Sequence, residues 1–218
     1  MRKTAIITGA SGLIGSKLLA ILLQSKEYEK VISLGRKKLK NKHGKLFQEI
    51  IDFEDPATYE KYLQGDVLFC CLGTTAKKTP DKTVYYKIDH DYPVGLAKTA
   101  STNGVLQFHF ISAIGADPSS SNFYLKTKGE TERDLKKISL DSLFIYQPSL
   151  LTGRTRGQRL GERAAGVIMT IINPLLLGGL RKYRSIAGLT VAKAMYKQSL
   201  KENKGVSVYT TDQIKERA

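Results

Sequence analysis

A glycine-rich segment near the amino terminus constrains the fold more than any other part of the sequence. A β-branched run at residues 3–8 leads directly into three glycines, and a leucine-rich helical pattern follows them. The glycines permit a tight turn, close approach of the backbone to a ligand and close packing of the helix on the strand. This context predicts that a pyrophosphate binds at the helix amino terminus. The residues predicted to line that site are Gly9, Ser11, Gly12, Leu13, Ile14 and Gly15.

The rest of the chain alternates short apolar runs with longer helical patterns, as repeated βαβ units do. We therefore predict an α/β fold: one doubly wound parallel sheet of about seven strands, in a single domain over residues 1–218. An irregular segment at residues 150–186 is expected to form a small substrate pocket. The predicted strands cover residues 3–8, 31–34, 46–51, 67–72, 106–112, 143–147 and 206–209, and the predicted helices cover residues 13–25, 83–101, 122–138 and 190–201.

Composition excludes several classes of function. Hydrophobic residues make up 41% and charged residues 25% of the chain, as in ordinary globular proteins. The net charge of +15 favours anionic ligands, but no helix-turn-helix, zinc-finger or RNP signature is present, so no specific binding to nucleic acid is expected. The three histidines have no ligand spacing, so no metal site is predicted.

Location and membrane contact depend on two further features. Cys70 and Cys71 are adjacent in an apolar run and should point to opposite faces of a strand as reduced thiols. With strand residues already beginning at Lys3, no signal peptide is expected, and a cytoplasmic location is predicted. Residues 164–180 are uncharged but shorter than the roughly 20 residues of a spanning helix. A helix over the substrate pocket is the preferred interpretation, and contact with a membrane surface is the alternative.

The end of the second predicted strand distinguishes between cofactors. NAD sites place a carboxylate there, whereas NADP sites place basic groups around the 2′-phosphate. Here Arg36, Lys37 and Lys38 follow the strand, and no acidic residue occurs before Glu49. Arg36 can bind a phosphate in a bidentate fork, with Lys37 as a second charge. NADP(H) is therefore predicted; a merely basic loop is the alternative.

Three residues form a candidate catalytic constellation. Tyr124 and Lys128 lie four residues apart, so they share one face of a helix. The ammonium should lower the pKa of the phenol, and Ser112, at the end of the fifth predicted strand, should donate a hydrogen bond to a substrate oxygen. Glu130, Glu132 and Asp134 are expected to form a solvated face of the same helix.

These motifs together resemble the short-chain dehydrogenase/reductase superfamily. The closest likeness is to its atypical Tat-interacting-protein-like branch, and it covers nearly the whole chain. The likeness is carried by Gly-Ala-Ser-Gly-Leu-Ile-Gly at 9–15, Gly-Arg-Lys at 35–37, Cys-Leu-Gly-Thr-Thr at 71–75, Tyr-Leu-x-x-Lys-Gly-Glu at 124–130 and Arg-Ser-Ile at 184–186. It implies an NAD(P)-binding Rossmann fold with a Ser112–Tyr124–Lys128 triad.

The resemblance also implies roles for residues after the later strands. Asp52 would bind the adenine amine beside Phe53, and Lys128 would hold the ribose hydroxyls. The nicotinamide half would be lined by Leu72, Gly73, Thr74, Pro148 and Ser149. Two departures stand out: Gln147 replaces the arginine that often precedes the proline, and Asp89 only partly substitutes for a relay asparagine.

The combined prediction is an NADPH-dependent oxidoreductase acting on a small carbonyl or alcohol, as a monomer or a homodimer. Members of this branch include proteins that act mainly by binding partners. The alternative is therefore an NADPH-binding regulatory or scaffold protein with little turnover.

Overall fold

Seven parallel strands form one sheet in the computed structural model, which describes residues 2–153 and 176–218. The described strands, all of which except β7 and β8 belong to this sheet, are β1 (Lys3–Thr8), β2 (Tyr28–Gly35), β3 (Leu46–Ile50), β4 (Val67–Cys70), β5 (Gln107–Ile111), β6 (Ser142–Gln147), β7 (Leu151–Thr152), β8 (Ile186–Ala187) and β9 (Gly205–Thr210). The sheet order is β3-β2-β1-β4-β5-β6-β9, with every neighbouring pair parallel. β7 and β8 form a separate two-stranded parallel ribbon.

Helices cover both faces of the sheet. They are α1 (Leu13–Gln24), α2 (Lys82–Tyr86), α3 (Tyr92–Thr102), α4 (Phe123–Leu135), α5 (Gly188–Ser199) and α6 (Thr211–Glu216). The buried side chains of α1 and α5 belong to the hydrophobic core on one face, and those of α3 and α4 belong to the core on the other. The reversal of strand order between β1 and β4, with helices on both faces, is the doubly wound Rossmann arrangement that the sequence predicts.

The side chains of the central strands divide between these two cores. In β4, Val67 and Phe69 lie in the core beneath α1, while Leu68 and Cys70 lie in the core beneath α3. Cys71 packs against the opposite core from Cys70, as the alternation predicts, and both thiols are free. A strand buried on both faces has no polar side, which explains its continuous apolar sequence.

The helix predicted over residues 83–101 is interrupted. A π-helical turn at Lys87–Asp91 separates α2 from α3, and Pro93 follows it. Proline has no N–H group, and its ring clashes with the carbonyl four residues earlier, which here is Asp89. The Asp89 carbonyl instead accepts a hydrogen bond from Thr131 Oγ1 of α4 at 3.0 Å. The predicted helix is confirmed over residues 82–102, and the π-helical turn before Pro93 is the feature that the sequence analysis did not predict.

Most of the predicted pocket segment at residues 150–186 lies outside the described residues. Its two ends are described: β7 begins it, and a short 3₁₀ helix at Gly178–Tyr183 leads into β8. Within residues 2–153 and 176–218, no helix combines the length and apolar character needed to cross a membrane. The predicted helix over the pocket falls largely on residues that the structure does not describe.

A neutral histidine lies in the core at the centre of the sheet. His109 of β5 is fully buried and packs between the rings of Phe69 and Phe144. Its Nε2 lies 3.1 Å from Gln107 Oε1, which can only accept, so Nδ1 accepts from the Tyr146 hydroxyl at 3.0 Å. Burial, followed by the charge of Lys3, lowers the pKa of His109 to about 3.

We predict that His109→Gln makes stability less sensitive to mild acid. The unfolded chain protonates this histidine below a pKa of about 6.5, while the folded chain does not until about pH 3. Wild-type stability should therefore fall by roughly 1.4 kcal/mol per pH unit from this group as pH decreases below about 6.5. Urea unfolding between about pH 6.5 and pH 5, where most carboxylates stay ionised, measures that slope. Equal slopes in the two proteins would contradict the assignment.

Candidate functional site

The predicted site residues lie in segments that follow the carboxyl ends of the strands. Since the seven strands are parallel, their carboxyl ends meet at one edge, and each predicted group follows one of them. The glycine turn follows β1 at the switch in strand order, where ligands bind in open α/β sheets. The segments with Arg36 and Asp52 follow β2 and β3 on one side of that turn. Those with Thr74, Ser112 and Pro148 follow β4, β5 and β6 on the other.

The glycine turn has no room for side chains at two positions. A Cβ on Gly9, whose φ is +71°, would lie 2.3 Å from the Cys71 carbonyl oxygen of the neighbouring strand end. A Cβ on Gly15 would lie 2.3 Å from the Gly9 carbonyl oxygen. Gly12 caps α1 without a side-chain hydrogen bond, and the first turn of the helix contains no acidic residue. The backbone N–H groups and the positive end of the helix dipole are therefore arranged for a pyrophosphate.

The side of the edge where adenosine is predicted to bind carries exposed polar groups. Arg36 and Lys37 are exposed immediately after β2, and Asp52 is exposed after β3. Phe53 directly follows Asp52, and its buried ring stacks on Tyr92 of α3 at a centroid distance of 5.3 Å. Its described contacts are those of a core residue.

A buried ion pair lies on the side where the nicotinamide is predicted to bind. Asp89, in the π-helical turn, is 1% exposed, and its Oδ1 lies 2.9 Å from Lys128 Nζ of α4. Its Oδ2 accepts a hydrogen bond from the Thr74 N–H at 2.9 Å, and Lys128 Nζ also donates to the Ile111 carbonyl at 3.1 Å. Burial lowers the pKa of Lys128, but Asp89 and smaller contributions outweigh it, so the net pKa is raised.

Tyr124 lies one helical turn before Lys128 and is 40% exposed. Surrounding protein atoms raise the pKa of its phenol, Lys128 lowers it, and Asp89 raises it again. The net pKa is above the ordinary value of 10, opposite to the prediction made from the lysine alone. The difference arises because burial raises the pKa of the phenol more than Lys128 lowers it, and Asp89 adds to the increase.

The Ser112 hydroxyl is occupied by a partner that the sequence analysis misjudged. It donates a hydrogen bond to Glu132 Oε1 at 2.5 Å, and Gln147 Nε2 donates to the same oxygen at 2.8 Å. Glu132 is only 4% exposed, so its predicted place on a solvated face was wrong. A serine has a single hydrogen to donate, and this bond does not favour the predicted role of Ser112 in polarising a substrate. Residues 124, 128 and 132 lie at successive four-residue intervals, the spacing that could have indicated one inward face.

The segment after β6 is fixed by backbone and hydroxyl contacts. The Pro148 carbonyl accepts a hydrogen bond from the Ile114 N–H at 3.1 Å. The Ser149 N–H donates to Thr211 Oγ1 at 2.8 Å, and the Ser149 hydroxyl donates to the Arg184 carbonyl. These bonds hold the ends of β5, β6 and β9 at the edge where a nicotinamide is predicted to bind.

Two polar groups beside Thr74 were not identified from the sequence. The Thr79 hydroxyl lies 2.8 Å from Thr74 Oγ1, and the buried Tyr85 hydroxyl lies 3.5 Å from the Thr74 carbonyl. Neither belongs to a recognisable motif, so no sequence signal marked them. In the described part of the chain, no group of three or more His, Cys, Asp or Glu side chains is placed to hold a metal ion.

Comparison with known sequences identifies relatives of the whole fold. The sequence matches the NAD(P)H-binding family over residues 9–172. Protein HTATIP2 of Rattus norvegicus is 37% identical over 164 residues, which cover 73% of this chain and 67% of that protein. A Coccidioides immitis protein named FMP52, mitochondrial, is 28% identical over 93% of this chain and 87% of its own length. The likeness to the Tat-interacting-protein-like branch is thereby confirmed.

Solved structures with little sequence identity share the fold. WbmH of Bordetella bronchiseptica in complex with NAD+ superposes with a TM-score of 0.73 at 16% identity, covering 99% of this chain and 79% of that one. A UDP-N-acetylglucosamine 4-epimerase of Methanobrevibacter ruminantium gives a TM-score of 0.70 at 19% identity, covering 96% and 76%. At this identity the likeness establishes the fold alone.

The prediction of a cytoplasmic location is wrong. FMP52 relatives from Coccidioides immitis, Candida glabrata and Eremothecium gossypii are named as mitochondrial proteins. Reduced thiols report on the redox environment and do not distinguish one reducing compartment from another.

We predict that Gly129→Ala destabilises the protein, because the connection between β5 and α4 crosses the helix there. A Cβ on Gly129 would lie 2.2 Å from the Asp117 carbonyl carbon. The connection is held against the helix by a hydrogen bond from the Asp117 N–H to the Leu125 carbonyl at 3.1 Å. Overpacking costs about 1–3 kcal/mol, and each kcal/mol lowers Tm by about 2–4 °C at this size. A Tm loss of about 5 °C or more is expected by calorimetry.

Gly95→Ala is the matched control, since that helical glycine faces only the Tyr59 hydroxyl, at 3.4 Å. Alanine gains up to about 1 kcal/mol of helix propensity, so Tm should stay constant or rise. Equal losses in both variants would show that the crossing at Gly129 is not the cause.

Proposed function

Because the chain belongs to the NAD(P)H-binding family, we propose that it is an NADP(H)-dependent oxidoreductase acting on a carbonyl or alcohol group of a small molecule. The observation that carries this proposal is the exposed Tyr124 phenol one turn from the buried Lys128. Both lie at the sheet edge that also holds the glycine turn. A proton donor beside a fixed cation, next to the glycine turn where the dinucleotide is predicted to bind, fits hydride transfer coupled to proton transfer.

The chain's own residues supply orientation and the proton. A reduced nicotinamide, when bound, supplies the hydride. In the reductive direction Tyr124 Oη donates its proton to the substrate oxygen, and the raised pKa of this phenol keeps it protonated at neutral pH. Lys128 lies fixed between Asp89 and the Ile111 carbonyl, and its charge stabilises the phenolate left behind. Ser112 and Gln147 hold Glu132 at the adjoining strand ends.

The preference for NADP(H) rests on charge beyond β2. The solved neighbours named above include a complex with NAD+, so fold alone does not favour the phosphorylated cofactor. Arg36 and Lys37 are exposed there, and the sequence has no carboxylate between β2 and Glu49 to accept a bond from the ribose hydroxyls. A guanidinium binds a phosphate through two parallel hydrogen bonds, which an unphosphorylated ribose does not offer.

We predict that NADPH raises Tm much more than NADH at equal concentration, since tighter binding to the folded state stabilises it by mass action. Arg36→Ala should weaken NADPH by about tenfold or more, as expected for a lost charge-assisted hydrogen bond, and leave NADH unchanged. Isothermal titration measures both affinities. Lys98→Ala, which removes an exposed cation from the outer part of α3, is the charge-matched control and should change neither. Equal binding of the two nucleotides to the wild type would refute the preference.

We predict that Tyr124→Phe lowers turnover of a model carbonyl such as 4-nitrobenzaldehyde by about 10²- to 10⁴-fold, the usual range for general acid catalysis. Ser112→Ala should keep the rate within about tenfold while lowering Tm, because its hydroxyl is bonded to buried Glu132. NADPH consumption measures the rates. If Ser112→Ala lowered the turnover rate as much as Tyr124→Phe without changing Tm, the result would support the role first predicted for the serine, which is to polarise the substrate.

A second candidate function is an NADP(H)-binding regulatory protein with little turnover. The observations that favour it are the neutralisation of Lys128 by Asp89 and the occupied Ser112 hydroxyl. The Tyr124→Phe variant separates the two functions. An enzyme loses its cellular effect with the phenol, whereas a binding protein keeps it as long as NADPH still binds. The names of the relatives make mitochondria the compartment in which to test this.

A further inference from the structure

Asp89 joins three parts of the chain at one buried point. Its Oδ2 accepts from the Thr74 N–H in the loop after β4, and its Oδ1 pairs with Lys128 of α4 at 2.9 Å. Its backbone carbonyl accepts from the Thr131 hydroxyl, also on α4. Lys128 in turn donates to the last carbonyl of β5. One aspartate therefore connects the ends of two central strands with the helix that carries Tyr124.

The local backbone explains why the carboxylate lies there. The π-helical turn contains one extra residue, and Pro93 has no N–H group to donate to the Asp89 carbonyl. The neighbouring Asp91, in the same turn, is half exposed and bonds His90 Nδ1 at 2.8 Å. Within this turn, therefore, Asp89 is buried and Asp91 faces solvent.

A buried ammonium requires this carboxylate. Removing a lysine from water disfavours its charged form, and a close anion restores it. The titratable groups that face Lys128 are Asp89 of the π-helical turn, Tyr124 of α4 and Cys70 of β4; the Phe110 ring of β5 lies 4.9 Å away. Tyr85 of α2 adds a further phenol beside Asp89 and Tyr124. Among these groups, Asp89 alone is negatively charged at neutral pH.

We propose that Asp89 is a positioning residue, which holds the Lys128 ammonium and the Thr74 peptide as one buried unit and presents both to the ribose of the nicotinamide nucleotide. Within the described residues, Lys128 Nζ donates a hydrogen bond to the Ile111 carbonyl at 3.1 Å and lies 2.9 Å from Asp89 Oδ1. An ammonium carries three hydrogens, so a ribose hydroxyl can accept one that these two contacts do not use. Thr74 belongs to the loop at the same sheet edge, and its backbone position depends on the same carboxylate.

The sign of the pH effect follows from these contacts. In the wild type, burial lowers the pKa of Lys128, but Asp89 and smaller contributions together outweigh it and keep the pKa above its usual 10.5, so the lysine is charged throughout the neutral range. In Asp89→Asn the burial remains and the anion is lost, so the pKa should fall by about 1–3 units. Binding that depends on the ammonium is then retained below the new pKa and lost as pH rises through it.

The first experiment follows Lys128 in the cofactor-free protein by NMR of ¹³Cε-labelled lysine, with the signal assigned from its absence in Lys128→Arg. The wild-type pKa is expected above 10.5, and the Asp89→Asn value about 1–3 units lower. Asp91→Asn, the matched aspartate of the same turn, should leave it unchanged. A wild-type pKa at or below 10.5 would overturn the proposal, and this arm needs no Asp89 variant to fold.

The second experiment rests on the proposed function and measures NADPH affinity between about pH 7 and 10. Asp89→Asn should show a loss of affinity with rising pH that the wild type and Asp91→Asn do not show. The double variant Asp89→Asn/Lys128→Arg should lack the step, because a guanidinium stays charged. A step that persists in the double variant refutes the assignment to Lys128. Failure of every protein to bind NADPH would refute the proposed function and leave the NMR result standing.

Discussion

The close approach of the β1 turn to the end of β4 is the constraint on which the site depends. Gly9 lies so near the Cys71 carbonyl that any side chain would displace one strand end from the other. Gly15 is equally close to the Gly9 carbonyl, so a side chain there would displace helix α1 from the turn that precedes it. Since both contacts involve backbone atoms, neither can be relieved by a rotamer change. The helix amino terminus is thereby held against the central strands, where a pyrophosphate can reach its N–H groups.

On the two sides of the glycine turn, the carboxyl edge of the sheet carries different arrangements of charge. On the side where adenosine is predicted to bind, Arg36 and Lys37 are exposed, so they remain solvated until an anion approaches. On the other side Lys128 is buried and already paired with Asp89. An exposed cation contributes affinity and on-rate, whereas a buried ion pair fixes the positions of its side chains. The first arrangement suits recognition of a phosphate, and the second suits positioning of a reacting group.

Tyr124 illustrates how the chemistry of a motif depends on its surroundings in the fold. Burial raises the pKa of this phenol most, the lysine one turn away lowers it, and the carboxylate of Asp89 raises it further. The net effect favours the protonated phenol, which suits proton donation and hence the reductive direction. The Ser112 hydroxyl likewise takes its role from a buried carboxylate, Glu132, that no motif includes. In both cases an acidic side chain from another part of the chain changes what the recognisable residues do.

The sequence by itself determined the doubly wound sheet, the glycine turn and the edge at which every site residue lies, because these follow from local periodicity and backbone sterics. It also contained Pro93, which could have placed the π-helical turn. Only the tertiary structure decided the burial of Asp89 and Glu132, the stacking of Phe53 on Tyr92 and the direction of the Tyr124 pKa. Those properties depend on distances between side chains far apart in sequence, and periodicity carries no information about such distances.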